Sequence, residues 1–178
     1  MNEKNICTEL VRSINNTEGL FCYKIPDPGR RSTQQFIPAR AFDILVCREG
    51  KFIAIEVKFQ RGPNGISEVR ITEFEHRSLL AVEGAGGASY LLIAYYFYPT
   101  ERQQERWNLP TKVKRIYYQR YHSFARLLEK GTVSFKTISR FPHIDYDRGW
   151  DLSFLKYASR SDVPWQPFQT RIREKNDH

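Results

Sequence analysis

The sequence predicts an α/β fold, a central mixed β-sheet flanked by helices, and three observations carry that expectation. Residues 42–47 and 52–57 are apolar and rich in β-formers on either side of the turn-forming Arg48-Glu49-Gly50-Lys51, the pattern of a hairpin. Residues 89–98 are apolar almost throughout, as in a strand buried on both faces. Between them, residues 72–83 place Phe74, Leu79, Leu80 and Val82 on a partial helical face. A helix between the hairpin and a buried strand implies a crossover, and a mixed sheet with helices on its faces follows.

The remaining elements fall into order around this centre. Ile6, Cys7, Leu10, Val11 and Ile14 recur at helical spacing over residues 3–15, and Asn15, Asn16 and Gly19 end that helix. A short strand at 20–25 leads into a loop over 26–35 that carries prolines, a glycine and basic residues. Residues 60–65 break the chain after the hairpin, and 84–87 stop the second helix. Polar residues 99–109 read as a surface loop, 111–118 as a last sheet strand, 122–130 as a short helix and 133–139 as a strand or extended arm. One more short helix is expected over 151–157. From 160 onward, Pro164, Pro167 and seven charges describe a loosely held basic tail. With no repeat and no linker, residues 1–178 read as a single domain with its core over about 1–130.

A chain of 178 residues is long enough to bury a sizeable core. No apolar run approaches the ~20 residues that cross a bilayer. The N-terminus lacks the apolar stretch of a signal peptide, so a cytoplasmic protein is expected. Cys7, Cys22 and Cys47 are odd in number, sit in apolar contexts and lack Cys-x-x-Cys spacing; they read as small buried hydrophobes rather than disulfide or zinc ligands. The net charge of +8 favours a polyanionic partner, of which nucleic acid is the commonest. Ten Tyr, twelve Phe and three Trp supply the core and leave rings to stack on bases.

Into the apolar hairpin the sequence places Asp43, Glu56 and Lys58. Side chains alternate along a strand, so Glu56 and Lys58 share a face with Val57 opposite. Pairing about residues 48–51 brings the start of the first strand beside the end of the second, and Asp43 meets Glu56 there. An isolated Glu-x-Lys is ordinarily a solvated ion pair. The Asp thirteen residues upstream, across a hairpin of matching length, turns the reading towards a site. Two carboxylates and an ammonium at the end of apolar strands are costly unless a cation and a reaction use them. Phosphodiester hydrolysis uses such a set. Asp43 and Glu56, with the Val57 backbone carbonyl, supply a half-filled oxygen shell for Mg²⁺, and Lys58 orients or deprotonates water or neutralises developing charge. Zinc fits poorly, because His76, His122, His143 and His178 are scattered. Glu3 projects near the buried stripe of the first helix and Glu9 opposite; Glu3 is either a further acidic group at the site or a residue favoured by the helix dipole. Lys24, Arg30, Arg31, Arg40, Gln60 and Arg61 surround the hairpin as candidate DNA contacts, against the alternative of a plain solvated loop.

Asp-x12-Glu-x-Lys on a hairpin, after a helix and before a helix and a strand, resembles the PD-(D/E)XK nuclease superfamily, although Phe42 stands where that family has proline. Within it, Phe21-Cys-Tyr-Lys-Ile-Pro-Asp27, a basic loop, Phe42-Asp43 and Ile55-Glu-Val-Lys58 are similar in order to RecU-like and Hjc-like Holliday junction resolvases. Glu73-Phe-Glu-His76 stands where those proteins carry a Gln-containing helix, with Glu73 in place of the Gln. Gly86-Gly-Ala-Ser-Tyr-Leu-Leu-Ile93 is similar to their Gly-Gly-initiated core strand. The resemblance covers residues 1–98. It implies a restriction-endonuclease-like sheet, an acidic residue on the first helix (Glu3 or Glu9, with Glu3 preferred), and a Mg²⁺-dependent endodeoxyribonuclease in which Mn²⁺ substitutes. It further implies a homodimer that nicks four-way junctions symmetrically and works on nucleoid or viral DNA. Residues 95–98 and 133–139 are the expected dimer-forming surfaces. A restriction-type or repair nuclease and a non-catalytic DNA-binding protein are the competing readings.

Overall fold

The computed structural model of the chain describes residues 2–26 and 40–155. Helix α1 (Glu3–Asn15) starts at Asn2, whose side chain accepts the Asn5 amide, and it buries Ile6, Cys7, Leu10 and Ile14. Strand β1 (Leu20–Lys24) pairs antiparallel with β2 (Ile44–Arg48), and β2 with β3 (Lys51–Gln60). Between β2 and β3, Glu49 and Gly50 both take positive φ, 49° and 74°, the conformation a two-residue hairpin turn demands. Helix α2 (Glu73–Gly84) is the crossover to β4 (Ala88–Phe97), which runs parallel to β3. Strands β5 (Val113–Arg120) and β6 (His143–Asp145) add antiparallel neighbours and complete a six-stranded sheet in the order β1-β2-β3-β4-β5-β6. The fold is the expected α/β arrangement, one mixed sheet with helices on both faces.

Alternation along the central strands divides the core in two. Ile53, Ile55 and Val57 of β3 join Tyr90, Leu92 and Ala94 of β4 against α1. Ala54, Leu91, Ile93, Tyr95 and Phe97 face α2, α4 (Tyr121–Leu128) and the one-turn helix α5 (Phe135–Ile138). At the edge of the sheet, Asn15 accepts the Cys22 amide at 2.8 Å and donates to its carbonyl at 3.0 Å, which occupies the backbone groups of Cys22 at the middle of β1.

Four expectations need correction. Residues 99–109 are not loop throughout: α3 (Glu101–Trp107) begins at a Thr100–Gln103 capping box but buries no residue, so it leaves no apolar period to read. Residues 133–139 are not a strand; Val133 makes one isolated bridge to Ile66, and Ser134 then caps α5. The expected dimer-forming segments 133–139 and 95–98 are narrowed to their exposed residues, Tyr98 among them, because Tyr95, Phe97, Val133, Phe135 and Ile138 are core. The core also runs past residue 130, since Ile144, Phe154 and Leu155 pack into the α1 side. The expected loop over 26–35 and the tail from 160 fall largely or wholly outside the described residues. Among the described residues, no helix is long and apolar enough to cross a membrane. Cys7 and Cys22 are buried free thiols and Cys47 is partly buried.

Candidate active site

Asp43 stands immediately before β2, fixed by backbone bonds on both sides: its amide donates to the Ile55 carbonyl at 3.1 Å and its carbonyl accepts the Ile25 amide at 2.9 Å. Its side chain is buried, with Oδ2 accepting the Val57 amide at 2.7 Å and Oδ1 paired with Arg40 at 2.6 Å. Because Ile55 and Val57 turn towards α1, Glu56 and Lys58 turn together towards α2. Lys58 Nζ lies 2.5 Å from Glu56 Oε1 and 3.1 and 3.2 Å from the two oxygens of Glu75. Asp43, Glu56 and Lys58 are thus brought to one end of the sheet, as the hairpin register requires.

Glu75 is the member that the sequence reading missed. It is the third residue of α2, where its Oε2 accepts the Thr72 amide at 2.7 Å while Thr72 Oγ1 accepts the Glu75 amide at 3.2 Å. The same carboxylate therefore closes the helix cap and grips Lys58. Thr72-x-x-Glu75 ahead of a helical stretch was the available signal. Glu73, singled out instead, is exposed and pairs with Arg77 at 3.6 Å.

Burial and crowding set the protonation of the cluster. Burial, reinforced by the Asp43 charge, pushes Glu56 up to about 8 against the pull of Lys58. Burial also raises Asp43, opposed by the Val57 amide and Arg40. For Lys58, burial works downward but the Glu56 and Glu75 carboxylates outweigh it, and the ammonium is held above its ordinary value. Glu75 feels burial upward, yet the Thr72 amide and Lys58 carry it below the ordinary carboxylate range. Glu3, half-buried at the start of α1, is raised by burial and then by Asp43, with Lys58, Arg40 and Arg70 acting oppositely. Glu9 is engaged elsewhere, accepting the Tyr146 hydroxyl at 2.5 Å.

The basic and polar candidates divide. Arg40 is at the site, on Asp43. Lys24 ends β1, and Arg61 is exposed just past β3. Gln60 is turned into the following loop, donating to the Gly65 carbonyl at 3.3 Å. Arg30 and Arg31 lie outside the described residues. A cleft of about 510 Å³ shares His76 and Tyr121 with this region, but Glu68, Glu73 and Glu129 give it the wrong charge for a phosphate backbone.

Among the described residues, no group of three or more His, Cys, Asp or Glu side chains is placed to hold a metal ion. The donor set does fit a hard cation that keeps most of its own waters and takes one or two carboxylates. Glu56 Oε1 is paired with Lys58, but among the described residues the equally buried Oε2 meets no hydrogen-bond donor. A buried carboxylate left that way carries a desolvation cost that a divalent cation beside Asp43 would offset.

No protein-family model matches the chain, and no curated protein does. Among solved structures it is similar to Hjc from Archaeoglobus fulgidus, a Holliday junction resolvase from an archaeal hyperthermophile. The two are 16% identical with a TM-score of 0.42, over 85% of this chain and 96% of that one.

Proposed function

We infer that this protein is a Mg²⁺-dependent DNA endonuclease, with Mn²⁺ able to substitute, that cuts four-way junctions as a homodimer. The observation that carries the nuclease reading is the fully buried Glu56 carboxylate beside Asp43, paired through one oxygen with Lys58 on the same strand face and with the other left without a donor among the described residues. Asp43, Glu56 and the Val57 carbonyl would hold the cation, with Glu3 as a further acidic neighbour. When bound, such a cation acidifies the attacking water and stabilises charge on the phosphorus centre. Lys58, kept as an ammonium by Glu56 and Glu75, serves best to place the phosphate and neutralise its developing charge. The net charge of +8 supports a polyanionic substrate.

The junction preference rests on the order of motifs flanking the hairpin, since a restriction-type or repair nuclease would use the same carboxylates. A DNA-binding protein without chemistry would have no use for two buried carboxylates that cost stability. Cleavage of a synthetic four-way junction and of a linear duplex of matched sequence separates the readings. Faster, symmetric nicking of the junction is expected; preference for the linear duplex would move the assignment to a restriction-type or repair enzyme.

A further inference from the structure

The stretch 95–98 splits between the two faces of the sheet. Tyr95 and Phe97 are buried on the α2 side, so Tyr96 and Tyr98 stand on the other, and Tyr98 is 66% exposed. On β5, Val113 is buried on the α2 side, which puts Lys114 on the same face as the two tyrosines; Lys114 is paired in register with Tyr96. Lys112, one alternation earlier and exposed, reaches back over both rings, 5.5 Å from the Tyr96 centroid and 5.7 Å from that of Tyr98. The rings meet edge to face with centroids 6.1 Å apart, and their hydroxyls are 3.5 Å apart. The carboxylate facing this group is Asp147, which pairs with Lys114 at 2.7 Å and is itself well exposed.

An apolar core has no use for an ammonium over two phenol rings at the open end of a strand pair. Nucleic acid without a complementary strand does: base faces stack on aromatic rings, and phosphates pair with the neighbouring ammonium groups. A fully paired duplex hides its base faces and offers only the second of these contacts. Lys58 pairs in register with Ile93, so Tyr98, just past the end of β4 and five residues further on, lies about 17 Å towards the same end of the sheet but on the opposite face from Glu56 and Lys58. A strand would reach the platform from the candidate active site by passing around that end. We propose that Tyr96, Tyr98, Lys112 and Lys114 form a stacking platform for nucleotides that come unpaired where pairs open at the branch point of the DNA whose cleavage is proposed above. The platform rests on that reading for the identity of its ligand, and its test is independent of cleavage.

The full-length chain in EDTA is titrated against a fluorescently labelled single-stranded 20-mer and, separately, a blunt duplex of the same sequence. Tyr98→Ala and Lys112→Ala should each weaken single-strand binding about tenfold. Duplex affinity should change less than about twofold, and Tyr98→Phe should retain single-strand binding, because the ring is kept. Tyr98 and Lys112 are exposed, and superimposable thermal melts confirm that the variants are folded. Single-strand affinity unchanged in Tyr98→Ala overturns the platform, as does an equal loss on both probes or absence of single-strand binding by the parent chain. Mg²⁺-dependent cleavage is scored separately. Cleavage without platform binding overturns the platform alone, and platform binding without cleavage overturns only the nuclease reading.

Discussion

At the scale of single residues, the site stores an electrostatic cost in Glu56. Its carboxyl binds a proton more tightly in the folded chain, up to about 8 against an ordinary value of 4.5. For an acid with a raised folded pKa, the stabilising contribution is full below the unfolded value and is lost as pH rises through the folded one. The metal-free protein should therefore lose stability between pH 6.5 and 8. His143, whose lowered pKa acts with the opposite sign, ceases to contribute only once pH has passed the ordinary imidazole value of 6.5, so the Glu56 slope is read at the upper end of that window. Thermal melts in EDTA across that window check the slope, and Glu56→Gln should flatten it; a parent slope of zero or of opposite sign contradicts the burial argument. Glu75 offers a second residue-scale prediction, because its two jobs are separable. Thr72→Ala should cost about 1 kcal/mol through the lost cap and leave cleavage nearly intact. Glu75→Gln keeps a capping side chain but removes a charge from Lys58, so cleavage should fall roughly 10- to 100-fold with little change in melting. Equal effects of the two variants on cleavage would mean that Glu75 only holds the helix.

Among the elements, legibility followed burial. Helix α1, the hairpin and β4 announce themselves because each buries a regular set of apolar positions, whereas α2 buries Glu75 and Leu79 and shows a partial face; the candidate site lies on strands that were readable for that reason. Helix α3 is held by its cap and buries nothing, and α5 is a single turn, so neither leaves a period to detect. Strand β6 contributes three residues and reads as loop. Glu75 escaped for another reason: its partner Lys58 is seventeen residues away, and local spacing shows nothing of that contact. The glycines that open β4 are specific in their demands. Gly86 takes φ +85°, whereas a Cβ on Gly87 would stand 2.8 Å from the Phe52 carbonyl oxygen and from Val82 Cγ1. Gly87→Ala should destabilise the protein by roughly 1–3 kcal/mol, because α2 would have to move off the start of β3. Chemical denaturation measures this, and a neutral substitution would show that the α2–β4 join is looser than described.

At the scale of the whole molecule, charge and exposed rings determine how the protein meets a partner. A net charge of +8 predicts DNA affinity that falls steeply with added salt as counterions are released. Titrations at several salt concentrations give the slope, and an affinity indifferent to salt would mean that the basic surface is not the binding surface. Phe21, Tyr23 and Phe52 remain more than half exposed, with Phe21 and Phe52 both in register with Cys47 across β1, β2 and β3. With Tyr98, they are among the large apolar side chains that the described residues leave exposed. The central claim concerns the end of the sheet where Asp43, Glu56 and Lys58 meet, and one comparison tests it most directly. A synthetic four-way junction is incubated with the parent chain and with Asp43→Asn, each with Mg²⁺ and with EDTA. The account predicts cleavage by the parent in Mg²⁺ alone, and at least roughly a hundredfold loss in Asp43→Asn with junction binding retained. Cleavage that persists in EDTA or survives Asp43→Asn would contradict it.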